Sequence, residues 1–171
     1  MVTRKEDFTE HIATESRPFH FVDSGLDNVY LVGIKYFVYS DGRVVAEIPA
    51  LKQLMQLIAK DLVFCPAALS GSEIRFLRKR LGVKSSEMAG HLRVEFESFS
   101  RIENGHNPVS PQIDLLTRMV YCILSGDSEL MDHCKAVLQV LRDELKKRQE
   151  CKILTLKIST DNTWFDLKQA A

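Results

Sequence analysis

Three short helical segments follow one another between Ser70 and Gly105, and they constrain the fold of this chain more than any other feature. The first begins with Ser70-x-x-Glu73, which is typical of a capping box, directly before apolar residues at helical spacing. The second is predicted over about residues 85–92 and the third over about residues 96–103. Because only three or four residues separate these segments, the pattern predicts short helices that pack at steep angles.

The same segment separates a core from an outward face. Its apolar residues at helical spacing are predicted to form the core: Ile74, Leu77, Met88, Leu92, Val94, Phe99 and Ile102. Ala89 is small enough for two helices to cross closely, and Arg78 and Glu103 are placed to pair between the first and third helices. This organisation is typical of a helix–turn–helix unit, whose second helix enters the major groove of DNA.

Residues 70–124 resemble the Cro/Xre-type helix–turn–helix family. The recurrent RxxxG…A…SRxExG pattern of that family corresponds here to Arg78-x-x-x-Gly82, to Ala89 and to Ser100-Arg101-Ile102-Glu103-Asn104-Gly105. The resemblance implies that the helix over residues 96–103 reads DNA. The turn position that is often glycine in the family is Arg93, which carries an energetic cost if its φ angle is positive.

Two stretches, Phe19-His-Phe-Val-Asp-Ser-Gly-Leu-Asp-Asn-Val-Tyr-Leu and Leu69-Ser-Gly-Ser-Glu-Ile-Arg-Phe-Leu-Arg, resemble the MqsA-type antitoxin and regulator family. Members of that family join a small N-terminal domain to a Cro/Xre-type C-terminal domain, and many hold zinc with two CxxC pairs in the first domain. This chain has no cysteine before Cys65, so that zinc site is not carried over and we expect neither a metal nor another cofactor.

The remaining sequence predicts an α+β fold with four parts. Strands are predicted at three places, residues 28–32, 35–39 and 43–47, and a helix is predicted to open at Ile48-Pro49 and to end at Pro66. The expected division is a flexible arm (1–18), a small α+β domain (19–66), the helix–turn–helix domain (67–126), and an extension with a helix and a β-hairpin (127–171).

The extension is predicted to contribute to dimerisation. Its helix is expected over residues 128–149 and its two strands on either side of residues 160–163. The apolar side chains that need cover are Leu130, Val137, Leu138, Leu141, Ile153, Leu154, Leu156, Trp164, Phe165 and Leu167. They either pack back on the first domain or pair with a second copy, and we expect pairing because a dimer doubles the contacts with a palindromic DNA site.

Composition excludes several classes of protein. The 171 residues carry 23 basic and 23 acidic side chains and contain no apolar run long enough for a membrane span. The four cysteines lack framework spacing and the N-terminus lacks an apolar leader, so we expect reduced thiols and a cytoplasmic location without membrane partners. No nucleophile motif, phosphate loop or carboxylate pair stands out, so we do not expect an enzyme.

We therefore predict a sequence-specific DNA-binding transcriptional regulator, a repressor of its own operon that binds double-stranded DNA as a homodimer. The candidate DNA-binding residues are Ser85, Ser86, Glu95, Phe96, Glu97, Arg101, Asn104 and His106. Arg101 is the candidate for a guanine contact, and Ser85, Ser86, Asn104 and His106 are candidates for phosphate contacts. The alternatives are an antitoxin that neutralises a toxin through its N-terminal domain, and a prophage regulator without a toxin.

Overall fold

A computed structural model describes residues 8–149, 156–158 and 164–166, with side chains through Asp143. The described residues form a mixed α/β protein in which a small antiparallel sheet precedes six helices. The strands are β1 (Phe8–Ile12), β2 (Phe19–His20), β3 (Tyr30–Leu31), β4 (Lys35–Tyr39), β5 (Val44–Glu47), β6 (Leu156–Ile158) and β7 (Trp164–Asp166). The helices are α1 (Leu51–Phe64), α2 (Gly71–Arg80), α3 (Ser85–Leu92), α4 (Phe96–Glu103), α5 (Pro111–Ser125) and α6 (Ser128–Gln149).

The main sheet has the strand order β1-β4-β5, with all neighbours antiparallel. In its register Phe8 pairs with Tyr39, and Phe37 pairs with Val45. The prediction of a flexible arm over residues 1–18 is wrong for residues 8–12, which form the edge strand β1; residues 1–7 lie outside the described part of the chain. The strand escaped prediction because its mostly exposed side chains show no apolar periodicity. It is held by the backbone ladder with β4 and by contacts of the Phe8 ring with Phe37 and Tyr39.

The stretch between β2 and β3 is built around the buried hydroxyl of Ser24. That hydroxyl donates to the carbonyl oxygen of Phe21 at 2.7 Å and accepts from the backbone N–H of Leu26 at 3.1 Å. Gly25 turns the chain with a φ angle of 78°. Phe21 and Leu26 are both buried, and the hydrogen bonds of Ser24 hold the backbone between them.

Helix α1 is tied to α5 by the guanidinium of Arg118. Its Nη1 atom donates to the carbonyl oxygens of Leu62 at 2.6 Å, Val63 at 2.9 Å and Cys65 at 2.6 Å, and its Nη2 atom donates to that of Ala67 at 2.6 Å. The Nε atom pairs with Asp114 at 2.7 Å, one turn earlier on α5. A cation therefore binds carbonyls of the last turn of α1 and of the connection that follows it.

The chain divides into two compact units, with the boundary between Leu130 and Met131. The predicted boundary between residues 66 and 67 is therefore not a boundary between compact units, since α1 packs on α2 and Arg118 spans the junction. Helix α1 begins at Leu51, two residues after Pro49, because Ala50 adopts a left-handed conformation with φ 49° and ψ 44°. In the part of the chain that the structure describes, no helix is both long and apolar enough to cross a membrane.

The second unit contains most of α6 and the hairpin of β6 and β7. Both strands fall where the sequence predicts them. On α6, Leu138 and Leu141 are 44% and 41% exposed and lie three residues apart, so they share one face of the helix. The hairpin residues Ile153, Leu154 and Leu167 lie outside the described residues.

Candidate nucleic-acid interface

The carboxylate of Glu103 joins α2, α3 and α4. Its Oε1 lies 2.6 Å from Nε of Arg78, and its Oε2 accepts from Nη2 of Arg78 at 3.1 Å and from Oγ of Ser85 at 3.0 Å. The side chains of Arg78 and Glu103 are 13% and 5% exposed, so the pair predicted from sequence is present and largely shielded from water. Nη1 of Arg78 also donates to the carbonyl oxygen of Val83 at 2.9 Å. This network fixes the orientation of α4 against α2 and α3.

Helix α4 has one buried and one exposed side. The buried side chains are Phe99, Ile102 and Glu103. Phe96, Glu97 and Arg101 are exposed, and Phe96 retains 47% of its accessible surface although it is aromatic. Glu97 and Arg101 are four residues apart and therefore share a face, while the exposed Glu95 is the residue that precedes the first turn. The sequence predicts outward positions for Ser85, Phe96, Glu97 and Arg101. The structure agrees for the last three, whereas Ser85 is half-buried and bonds to Glu103.

The three short helices α2, α3 and α4 end in the same hydrogen-bonded turn. In each, a backbone N–H just after the helix donates to a carbonyl five residues earlier: Val83 to Arg78, Val94 to Ala89, and His106 to Arg101. The residue between has a positive φ angle, 70° at Gly82, 56° at Arg93 and 72° at Gly105. This is a Schellman motif, which favours glycine at the left-handed position. Arg93 therefore carries the strain that its sequence position predicts.

Replacing Arg93 by glycine is expected to raise the free energy of unfolding by ~0.5–1 kcal/mol, because glycine adopts the left-handed conformation without the Cβ penalty. Urea unfolding of the purified chain measures the change. Arg93→Ala is the matched control, since it removes the same charge and keeps a Cβ. If the alanine and glycine variants are equally stable, the left-handed conformation is not the source of strain.

The end of α4 is closed by Arg75 and Asn104. Nη2 of Arg75 donates to the backbone carbonyl of Glu103 at 2.8 Å and also to the side-chain oxygen of Asn104. Nδ2 of Asn104 donates to the carbonyl oxygen of Ser100 at 2.7 Å. Asn104 thus has a role in the fold that sequence reasoning missed, and one amide hydrogen remains for the predicted phosphate contact.

Gly71, the first residue of α2, lies against the backbone of α4. A Cβ built at this position would overlap the carbonyl oxygen of Ile102. Glycine is therefore required for the close approach of the two helices, independently of any turn. Gly71 directly follows the capping residue Ser70, so the capping box that fixes the start of α2 also positions Gly71 against α4.

The start of α3 has no side-chain cap. Lys84 precedes the first turn, and Ser86 is exposed. The phosphate contact predicted for the hydroxyl of Ser85 is corrected, because its single proton is donated to Glu103. Ser86, Lys84 and the first-turn N–H groups remain as donors at the positive end of the helix dipole.

The exposed charges on the surface of residues 71–107 are nearly balanced. The exposed cations are Lys79, Lys84, Arg93 and Arg101, against the exposed anions Glu87, Glu95 and Glu97. His106 is exposed in the turn that follows α4. The candidate surface therefore carries long polar side chains of both charges and is not polybasic.

Two positioning residues were missed by sequence reasoning. Arg75 lies three residues before Arg78 on α2, so the shared helix face could have revealed that both side chains point toward the end of α4. Asn107 accepts a hydrogen bond from Nε of Arg101 at 3.3 Å. No sequence pattern signals this second contact, because it depends on the turn after α4.

Comparison with known protein families, curated proteins and solved structures found no match to this chain. Among the described residues, no group of three or more His, Cys, Asp or Glu side chains is placed to hold a metal ion.

Proposed function

We propose that this chain is a sequence-specific DNA-binding transcriptional regulator that represses its own operon, with α3 and α4 as a Cro/Xre-type helix–turn–helix. The observation that carries the proposal is the buried Glu103 carboxylate, which holds α4 to α2 and α3 while Phe96, Glu97 and Arg101 face solvent. A rigidly held helix with long side chains on its open face suits insertion into the major groove.

Arg101 is the residue proposed to read a guanine. Its guanidinium can donate two parallel hydrogen bonds to the O6 and N7 atoms of guanine. Its 3.3 Å bond to Asn107 is long for an N–H···O hydrogen bond, so exchanging it for a base costs little. Phe96 supplies an apolar surface for a thymine methyl group, while Glu97 and Glu95 accept from cytosine amino groups or repel phosphates.

Phosphate contacts are assigned to the start of α3 and the turn after α4. Lys84, Ser86 and the first-turn N–H groups of α3 offer donors, and the free amide hydrogen of Asn104 and the ring of His106 offer others. Such contacts set the register of the protein on the duplex and carry no direct sequence information.

Arg101→Ala is expected to cost ~1–3 kcal/mol of binding free energy on the preferred site and to relax specificity at one base pair. Selection from a random DNA pool with the purified chain first identifies that site, and fluorescence anisotropy then measures affinity for it and for its single-base variants. Lys79→Ala removes an exposed cation from α2 and serves as control. An equal loss on every DNA sequence would show that Arg101 contacts only phosphate.

The regulator is proposed to act as a dimer on a palindromic operator, with half-sites ~34 Å apart. Leu138 and Leu141 form an exposed apolar strip on α6. Such a strip on one helix face suits pairing with a second copy, because contact between the copies removes it from water.

The double variant Leu138→Lys/Leu141→Lys is expected to be monomeric and to bind the operator at least tenfold more weakly, because two ammonium groups replace the apolar contact. Light scattering of the full chain gives the oligomeric state. Gln139→Lys, on an exposed position between them, is the matched control. A stable dimer with full affinity in the double variant would place the interface elsewhere.

A toxin-neutralising role is the second candidate, favoured by the exposed face of the main sheet. Phe8, Ile12 and Val45 are exposed on that sheet, and the Phe8 ring packs against Phe37 and Tyr39 at centroid distances of 5.2 and 5.6 Å. An aromatic surface of this kind fits a protein partner. Co-expression with the product of a short neighbouring reading frame tests the role, since neutralisation must fail in Ile12→Lys if this face binds a toxin.

A further inference from the structure

A cavity of about 180 Å³ lies among α1, the end of α2, α5 and the start of α6. Its polar lining consists of Lys52, Gln56, Arg80, Tyr121, Ser125 and Asp127. None of these residues belongs to α3 or α4, so the cavity is separate from the proposed DNA-reading surface.

Arg80 brings an unsatisfied donor to this cavity. Its Nε atom is buried and has no hydrogen-bond partner among the described residues. Arg80 and Tyr121 line the cavity together, and the guanidinium is close enough to lower the pKa of the Tyr121 hydroxyl. Because a buried N–H of a charged group without an acceptor is costly, the guanidinium as a whole is short of acceptors.

Tyr121 offers a second donor. Tyr121 lines the cavity, and its hydroxyl carries one proton that it can donate to an acceptor. Burial raises the pKa of Tyr121, and the neighbouring Arg80 offsets only part of that rise, so the hydroxyl is protonated at physiological pH. The hydroxyl of Ser125, in contrast, already donates to the carbonyl oxygen of Cys122 at 3.2 Å.

The anionic group in the lining is already neutralised. The carboxylate of Asp127 lies 3.0 Å from Nζ of Lys60 and accepts from Nε2 of Gln56 at 3.0 Å. These contacts lower the pKa of Asp127 and leave no need for a further cation. Lys52 has no ion-pair partner among the described side chains, so the charge left at the cavity is positive.

We propose that this cavity binds a small oxyanion, a carboxylate or phosphate group, through the guanidinium of Arg80, the hydroxyl of Tyr121 and the ammonium of Lys52. Arginine offers planar paired donors that match both oxyanions. A volume of about 180 Å³ admits inorganic phosphate or a short dicarboxylate, whereas drug-sized ligands occupy ~300–1,000 Å³.

Isothermal titration of the full chain with inorganic phosphate and, separately, with succinate tests the proposal at constant ionic strength. We expect one saturable site for at least one of the two, and the tighter ligand identifies the source of the oxyanion. Arg80→Gln should weaken binding about tenfold or more, and Lys52→Gln several-fold. Lys79→Gln removes an exposed cation next to Arg80 in sequence and should leave the affinity unchanged.

Lys52 is exposed at the start of α1, so its variant reports on binding even if loss of Arg80 disturbs the fold. Absence of saturable binding for both ligands, or equal affinity in Lys52→Gln and the unmodified chain, would overturn the proposal. Arg101→Ala should keep full oxyanion affinity, so a failure of this site and a failure of the DNA-binding proposal give different results.

Discussion

Replacing Arg78 by alanine is expected to lower the free energy of unfolding by ~3–5 kcal/mol, because the buried carboxylate of Glu103 then loses its cation. The carbonyl oxygen of Val83 loses its donor in the same step. In a chain of 171 residues this corresponds to a fall of roughly 6–20 °C in Tm. Since the network holds α4 in place, binding to all DNA sequences should weaken together.

The neighbouring Lys79→Ala is the control, because it removes a positive charge from an exposed position of the same helix. Thermal unfolding and DNA binding are measured on both variants. Glu103→Gln should recover part of the stability of Arg78→Ala when the two are combined, since it removes the unpaired charge. An Arg78→Ala variant with unchanged Tm and a defect on selected base pairs would assign Arg78 to DNA reading.

Replacing Arg118 by alanine is expected to cost ~3–5 kcal/mol of unfolding free energy, because one guanidinium satisfies four backbone carbonyls and pairs with Asp114. The carbonyls belong to the last turn of α1 and to the connection that leads to α2. We therefore expect α1 and α5 to lose their mutual attachment, together with the stability of the whole first unit. Urea unfolding followed by circular dichroism gives the magnitude.

Arg118→Lys separates charge from geometry. An ammonium keeps the positive charge but lacks the planar array of donors with which the guanidinium reaches several carbonyls. The free energy of unfolding of Arg118→Lys should lie between that of the alanine variant and that of the unmodified chain. Arg142→Ala, at an exposed position of α6, controls for the loss of one arginine. A loss below ~1 kcal/mol in Arg118→Ala would show that water replaces the guanidinium at these carbonyls.

Local signals in the sequence were sufficient for much of the helical region. The capping box at Ser70 and Glu73 predicts the start of α2, and the spacing of apolar residues predicts α3, α4 and α6 within a residue. The pairing of Arg78 with Glu103 was also predictable, because both occupy inward positions of predicted helices. The helices depend on local spacing, which periodicity reports directly. The Arg78–Glu103 pair joins residues 25 positions apart, and it follows once both helices are placed.

Features that depend on distant backbone groups were not predictable. The strand β1 exists because β4 offers a hydrogen-bonding edge, and its own side chains carry no such signal. Arg118 donates to backbone carbonyls 51 to 56 residues earlier in the chain. Every residue has such a carbonyl, so the sequence does not mark the ones that Arg118 contacts. In sequence, Ser85 has the polar character of a phosphate ligand. In the structure, its hydroxyl donates its hydrogen bond to the carboxylate of Glu103.

The near balance of exposed charge on α2, α3 and α4 bears on how the proposed regulator would search a genome. With four exposed cations against three exposed anions, few counterions leave a random duplex when the protein touches it. Most copies would then remain unbound instead of being held on non-specific DNA. The fraction of operator that is bound would then depend closely on the total number of copies in the cell. A repressor of its own operon requires this dependence, because its synthesis must fall as its concentration rises.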